Sequence, residues 1–150
     1  MITWTDDTGK IHAYELVVGP LSWVDAKHDA ESRSYNGASG HLLTITSQEE
    51  QSYIENNAVQ LGLGSNDFLW LGLERDNSTT NYSVANDWYP NHTWITEEVS
   101  QYSNWVRTST AGPFWNLERL YAGITGTNTN GYRTLGTWIW APTLNYNYIV

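Results

Sequence analysis

Cysteine is missing altogether from the 150-residue chain, and with it go the disulfide scaffold, the thiolate zinc site and every cysteine nucleophile. The core has to hold itself by packing. Basic side chains are scarce: seven Lys and Arg stand against sixteen Asp and Glu, a formal charge of −9 with the four histidines neutral. The phosphate-neutralising footprint of a nucleic-acid binder is therefore lacking. No stretch approaches the roughly 20 apolar residues needed to cross a bilayer, and residues 1–7 (MITWTDD) lack the basic start and apolar segment of an export signal. Neither membrane insertion nor a signal peptide in this chain is expected.

Phenylalanine and methionine are rare as well, two and one, whereas there are nine Trp and ten Tyr. The aromatic load is thus carried by rings with a polar edge, which suit both a core and a wet binding surface. With 40% hydrophobic and 15% charged residues, the chain reads as one globular domain over residues 1–150.

Residues 11–18 alternate, with Tyr14, Leu16 and Val18 on one side, and read as a strand ended by Gly19 and Pro20. Ser22 stands three residues before Asp25, a capping-box spacing, and Trp23, Ala26 and Ala30 follow at helical intervals, which predicts a helix of about ten residues. Residues 35–40 are rich in Gly, Ser and Asn and read as loop; residues 41–45 are a short apolar run. Ser47 and Glu50 repeat the capping spacing, with Ile54, Ala58 and Leu61 marking one face of a second helix that Gly62 and Gly64 can stop. Residues 68–73 (FLWLGL) are a continuous apolar run, consistent with a strand buried on both faces.

From Glu74 to Gly136 polar residues, Gly, Asn and scattered Trp dominate, with short strands expected at 87–88, 93–95 and 120–124. A loop-rich stretch of that length in a compact domain is functional or held by something specific. Residues 138–140 and 146–150 supply two late strands. The pattern is α+β, two helices set beside antiparallel sheet with a long irregular loop region.

In this order the residues resemble a C-type lectin-like domain of the cysteine-free kind found in bacteria and phage. The resemblance is carried by YELV at 14–17, SWVDA at 22–26, GHLLTI at 40–45, SQEE at 47–50 and LWLGL at 69–73. It continues through Trp94 with Thr96 and Glu98, YSNW at 102–105, YAGI at 121–124, GTW at 136–138 and YIV at 148–150. It implies a double-looped fold in which the two termini pair in one sheet and the long loop region carries ligand sites. Where relatives commonly place disulfides, this chain has Ser34 or Tyr35 with Val150, and Tyr121 with Pro142 or Thr143, so larger side chains are expected to fill those spaces.

Sugar-binding relatives hold a primary calcium ion with a Glu-Pro-Asn type triplet, a later acidic residue, and Asn-Asp directly after a Trp. Ca²⁺ takes about six to eight hard oxygens, which carboxylates, amide carbonyls and two sugar hydroxyls supply together. Here Ile139 and Trp140 follow Trp138, and the counterpart of the triplet is Gly112, Pro113 and Phe114. Only Glu118 matches an acidic ligand, so the primary site is read as absent and no cofactor is expected. Glu74 and Asp76 resemble the start of a secondary calcium site, for which solvated loop charge is the preferred reading.

Trp105, Trp115, Trp138 and Trp140 fall in the region the family uses for binding, where an indole can stack on a sugar or anchor a protein partner. Packing is the preferred reading for Trp105 and Trp138; Trp115 and Trp140, which replace polar family residues, stand open between the two. With the polar neighbours of Trp115, the expected ligand-binding set is Trp115, Asn116, Glu118, Arg119, Trp138 and Trp140. His12, His28, His41 and His92 show no metal-ligand spacing. Glu97 and Glu98 are adjacent and, on a strand, would face opposite ways, and no GxSxG, phosphate loop or HExxH occurs, so no enzyme is expected. Asn77, Asn81 and Asn91 fit the N-glycosylation triplet, which a stretch so rich in Asn, Ser and Thr yields by chance.

The expectation is a non-catalytic module, part of a larger cell-surface or extracellular protein, recognising a glycan or protein through the loop region. The rival is a structural or assembly domain with no small-molecule ligand.

Overall fold

A computed structural model of the chain describes residues 1–64, 67–75, 92–97, 100, 102–104, 121–126, 135–141 and 144–150. The N-terminal hairpin pairs β1 (Ile2–Thr5) with β2 (Ile11–Tyr14). The Asp6 carboxylate closes its turn by accepting from the Thr8 hydroxyl at 2.7 Å and from the backbone N–H of Thr8 and of Lys10 at 2.9 Å each. Those bonds, the Thr8 hydroxyl first, hold the Asp6 carboxyl well below the usual carboxylate range.

The strand expected over 11–18 is divided. β2 ends at Tyr14 and β3 (Leu16–Leu21) begins after Glu15, because the chain changes partner there from β1 to the C-terminal strand. β3 also continues through Gly19 and Pro20 instead of stopping at them. It is an edge strand, where a missing N–H breaks no ladder, and the Gly19 N–H donates to Asn147 Oδ1 at 3.1 Å.

Helix α1 (Trp23–Ser32) starts as its capping box predicts: Ser22 Oγ accepts from the Asp25 N–H at 3.2 Å and donates to the Asp25 carboxylate at 2.6 Å. Residues 34–39 are a small hairpin, β4 (Ser34–Tyr35) against β5 (Ala38–Ser39), where a loop was expected. Asn36 and Gly37 take φ of 50° and 85°, the pair of positive values that a two-residue type I′ turn requires. Residues 41–45 form no strand but bury Leu42, Leu43 and Ile45, with the Leu43 N–H donating to Ile149 O at 2.9 Å. Helix α2 (Gln48–Asn56) is capped by Ser47, and the expected face of Ile54, Ala58 and Leu61 is buried, the last two in the turns that follow the helix.

The main sheet contains β6 (Phe68–Arg75), β7 (His92–Trp94), β8 (Tyr121–Thr125), β9 (Trp138–Ala141) and β10 (Tyr146–Ile149). Its order is β3-β10-β6-β8-β9, with β7 on the far end of β6, and every described pair is antiparallel except β10 with β6. β6 is central, and strand alternation divides its side chains between two cores. Leu69, Leu71 and Leu73 enter the cluster that holds Ile54 of α2, while Trp70 enters the one that holds Trp23, Ala26 and Ala30 of α1. The helices therefore cover opposite faces of the sheet, and the apolar run of β6 is the consequence of burial on both sides.

The termini pair as expected: Tyr148 stands opposite Val17 and Ile149 opposite Leu16, and Glu15 exchanges backbone bonds of 2.8 and 3.0 Å with Val150. Arg33 Nε donates to Asp29 at 2.6 Å and the Tyr148 hydroxyl to the same oxygen, tying α1 to β10. Arg33 first, then Tyr148, holds the Asp29 carboxyl low, and burial followed by the Asp29 bond pushes the Tyr148 hydroxyl up to about 12. At the positions aligned with family disulfides, Tyr121 stacks on Trp23 with centroids 4.1 Å apart, and Val150 joins the Trp23 cluster. No helix among the described residues is long and apolar enough to cross a membrane.

Candidate functional site

The loop region leaves the sheet from β6 and β7 and returns through β8 and β9, and the described residues fix its roots. After β7 the chain turns at Glu97, with a φ of 58° and its N–H donating to Trp94 O at 2.9 Å. Glu97 is thus on a turn and not on a strand, which corrects the geometry assumed for the Glu97, Glu98 pair; Glu98 lies outside the described residues. Ser100 Oγ donates to Thr46 O at 2.6 Å and accepts from the Tyr102 N–H at 3.0 Å, pinning this segment beside the start of α2.

Gln51 joins the roots to one another. It lies on the core-facing side of α2, fully buried, and its amide nitrogen donates to Gly136 O at 2.9 Å and to Glu55 Oε1 at 2.8 Å. Its amide oxygen accepts from Trp138 Nε1 at 3.0 Å. Asn104 adds a second donor to Gly136 O at 3.0 Å, and its carbonyl accepts from the Trp138 N–H at 2.8 Å. Gly136, at φ 79°, has to be glycine, because a methyl group there would overlap the Glu55 carboxylate and the Gln51 amide. The Trp138 ring meets Trp94 at 5.4 Å and Tyr102 at 5.7 Å, both edge to face. Burial, then the charges of Glu55 and Glu49, push the Tyr102 hydroxyl up to about 12.

The stretch 105–120 is therefore held at both ends. It departs from Asn104, bonded to Gly136 and Trp138, and re-enters at Tyr121, stacked on Trp23, whose indole donates to Leu71 O at 2.7 Å.

Of the residues expected at the site, Trp138 is wholly buried with its indole N–H consumed by Gln51, so it packs the loop root and presents no surface to a ligand. Trp140 holds the β9 position opposite Ala122, and its indole lies outside the described part of the structure. Trp115, Asn116, Glu118 and Arg119 lie outside the described residues, as do Trp105, Asp76 and residues 87–88 and 112–114. Gln51 and Asn104, which position the loop region, are absent from the sequence-derived set.

The donor chemistry does not fit a primary calcium ion. The two residues after Trp138 carry no side-chain oxygen, and Ile139 stands on β9 opposite Gly123. Glu74 is exposed on β6, opposite Thr93 and Tyr121, and its charge helps raise the Tyr121 hydroxyl after burial. Among the described residues no three His, Asp or Glu side chains gather as a metal-holding group.

Residues 19–119, more than half of the chain, match the family described as the lectin C-type domain. Bovine (Bos taurus) lithostathine is 30% identical over 94 residues, 63% of this chain and 48% of its own length; the chain thus spans about half of that relative. Among solved structures, the C-type lectin CEL-I from Cucumaria echinata superposes with a TM-score of 0.62 at 19% identity, covering 91% of this chain and 86% of its own. A calcium-independent type II antifreeze protein superposes with a TM-score of 0.58 at 16% identity, covering 99% and 94%. The family thus includes lectins, lithostathine and antifreeze proteins, and its fold does not require calcium. By its sequence match, its double-looped topology and the Trp138-centred root of its loop region, the chain belongs to the C-type lectin domain family.

Proposed function

We propose that the domain is a non-catalytic binding module that recognises a glycan or a protein through its long loop region, without a primary calcium ion, as part of a larger extracellular or cell-surface protein. The observation that carries this reading is the Gln51, Trp138, Gly136 and Asn104 network, which fixes both roots of a Trp-rich loop region on a rigid sheet. Preorganised loops on a rigid scaffold are where binding residues concentrate. Family membership and the oxygen-free residues after Trp138 support the remainder. Trp115, Asn116, Glu118, Arg119 and Trp140 are the proposed contacts, with Trp138 acting through packing.

Glycan and protein arrays with and without a chelator test it. Binding that survives chelator supports the module, and binding lost to chelator overturns the calcium-free reading. Silence on every array together with self-association in sedimentation supports the rival structural or assembly role. Trp115→Ala and Trp140→Ala should each weaken binding by about 2 kcal/mol while leaving stability nearly intact; destabilisation with unchanged affinity would make them packing residues.

A further inference from the structure

A cleft of about 200 Å³ lies between the N-terminal hairpin and the β4–β5 hairpin, with residues 10–15 forming one wall and Ser34, Tyr35, Ala38 and Ser39 part of the other. The direction of the β2 backbone into it can be read from both ends. At the turn, Lys10 O accepts from the Asp6 N–H, so residue 10 faces β1. At the other end, Glu15 exchanges both its backbone bonds with Val150, so residue 15 faces away from β1, toward β10. Backbone polar groups alternate along an extended chain. His12 and Tyr14 thus bond β1, opposite Trp4 and Ile2, while the N–H and C=O groups of Ile11 and Ala13 turn to the side on which Val150 lies. No partner is recorded for them there. The open edge of β2 is therefore the direct continuation of the line along which β10 pairs with β3 and Glu15.

We propose that this cleft receives an extended peptide segment of a partner protein, added as an antiparallel strand to the open edge of β2 in line with β10. Unpaired strand edges are templates for such addition, in which backbone bonds give affinity and alternate side chains give specificity. The cleft is smaller than the ~300 Å³ lower bound of enclosed drug-sized sites, and so suits a chain passing through it. Its charge selects an acidic segment. Lys10 and Arg33 line it, two of only seven basic residues in the chain. Of its carboxylates, Glu50 is 4% exposed and engaged by the Tyr14 hydroxyl at 2.8 Å and the Thr46 N–H at 3.0 Å, and Glu15 pairs with Arg33 at 3.4 Å. Ile11, 63% exposed, offers apolar cover at the mouth.

The probe is a fluorescein-labelled peptide of about eight residues, within ordinary strand length, alternating valine with glutamate and threonine. Fluorescence anisotropy should show saturable binding, and amide exchange at Ile11 and Ala13 should slow on adding peptide while His12 and Tyr14, already bonded to β1, stay unchanged. Ala13→Pro deletes a cleft-facing N–H that the β1 ladder does not use, so the domain should melt as before and bind about tenfold or more weakly. Ile11→Pro provides the same test should Ala13→Pro unfold. Lys10→Glu should weaken the acidic peptide, and Trp115→Ala, in the loop region, should leave it unaffected. Absence of binding at millimolar peptide, undiminished binding by a folded proline variant, or exchange protection that appears from self-association without peptide would each overturn the proposal.

Discussion

Replacing Gln51 by methionine keeps the side-chain volume close to native while deleting both halves of the amide that joins α2 to the loop roots. Three bonds are lost, and they are unequal. Trp138 Nε1 is wholly buried and would have no partner recorded in its place, an orphaned donor costing about 1–3 kcal/mol. Gly136 O keeps the Asn104 amide, so its loss is limited to the net worth of one bond, about 1 kcal/mol. The Glu55 bond joins an i, i+4 pair on the helix and adds a few tenths at most. The expected total is about 2–4 kcal/mol against a domain stability of about 5–15 kcal/mol, measured by urea denaturation followed by far-UV circular dichroism. The decisive control is the same substitution in a Trp138→Phe background, where the donor is gone: the penalty of Gln51→Met should fall there by about 1–2 kcal/mol. An equal penalty in both backgrounds, or a loss below about 0.5 kcal/mol, would show that the amide is not what holds the loop root.

Trp70→Ala should cost about 3–5 kcal/mol, since the indole is 1% exposed and donates to Leu21 O at 3.0 Å; a loss under about 1 kcal/mol would place the strand outside the core. Deleting residues 146–150 removes a strand flanked by β3 and β6 and should abolish cooperative unfolding, which a preserved melting transition would refute. Asp29, held low by Arg33 and Tyr148, contributes stability that is present above the ordinary carboxyl value of 3.8 and lost as pH falls through its lower folded value, and Asp6 acts with the same sign. Urea midpoints should therefore fall between about pH 5 and pH 2, and Asp29→Asn should flatten that fall; an unchanged profile would remove the pair from the account.

The parts of the fold that sequence reveals are those whose cause is local. Ser22 with Asp25 and Ser47 with Glu50 announce their helices because the bonds that cap a helix span three residues. The run at 68–73 announces a central strand because burial on both faces leaves no room for alternation. Two hairpins escape notice although their signals are present. Ile2 and Trp4 alternate with Thr3 and Thr5, and Asn36-Gly37 is the dipeptide an I′ turn demands, but both strand pairs are too short to stand out by periodicity. The break at Glu15 leaves no local trace, because it comes from a change of strand partner and not from any turn residue.

The loop roots follow the same division. The tryptophans near them are conspicuous, yet a ring looks alike in sequence whether it packs or binds. What sorts Trp138 is a bond to a residue 87 positions away, and Gly136 is reached by the same amide across 85 positions. Separations of that length cannot be read from a pattern. A weaker signal does exist in α2: Gln51 sits three residues before Ile54 and seven before Ala58, on the stripe that faces the core. An amide on an apolar stripe is stable only where its donors and acceptor are met, so that position alone implies distant polar partners waiting in the core. Those partners are the backbone carbonyl of a glycine and the indole N–H of a tryptophan, groups that need fixing in place if the loops between them are to keep one conformation.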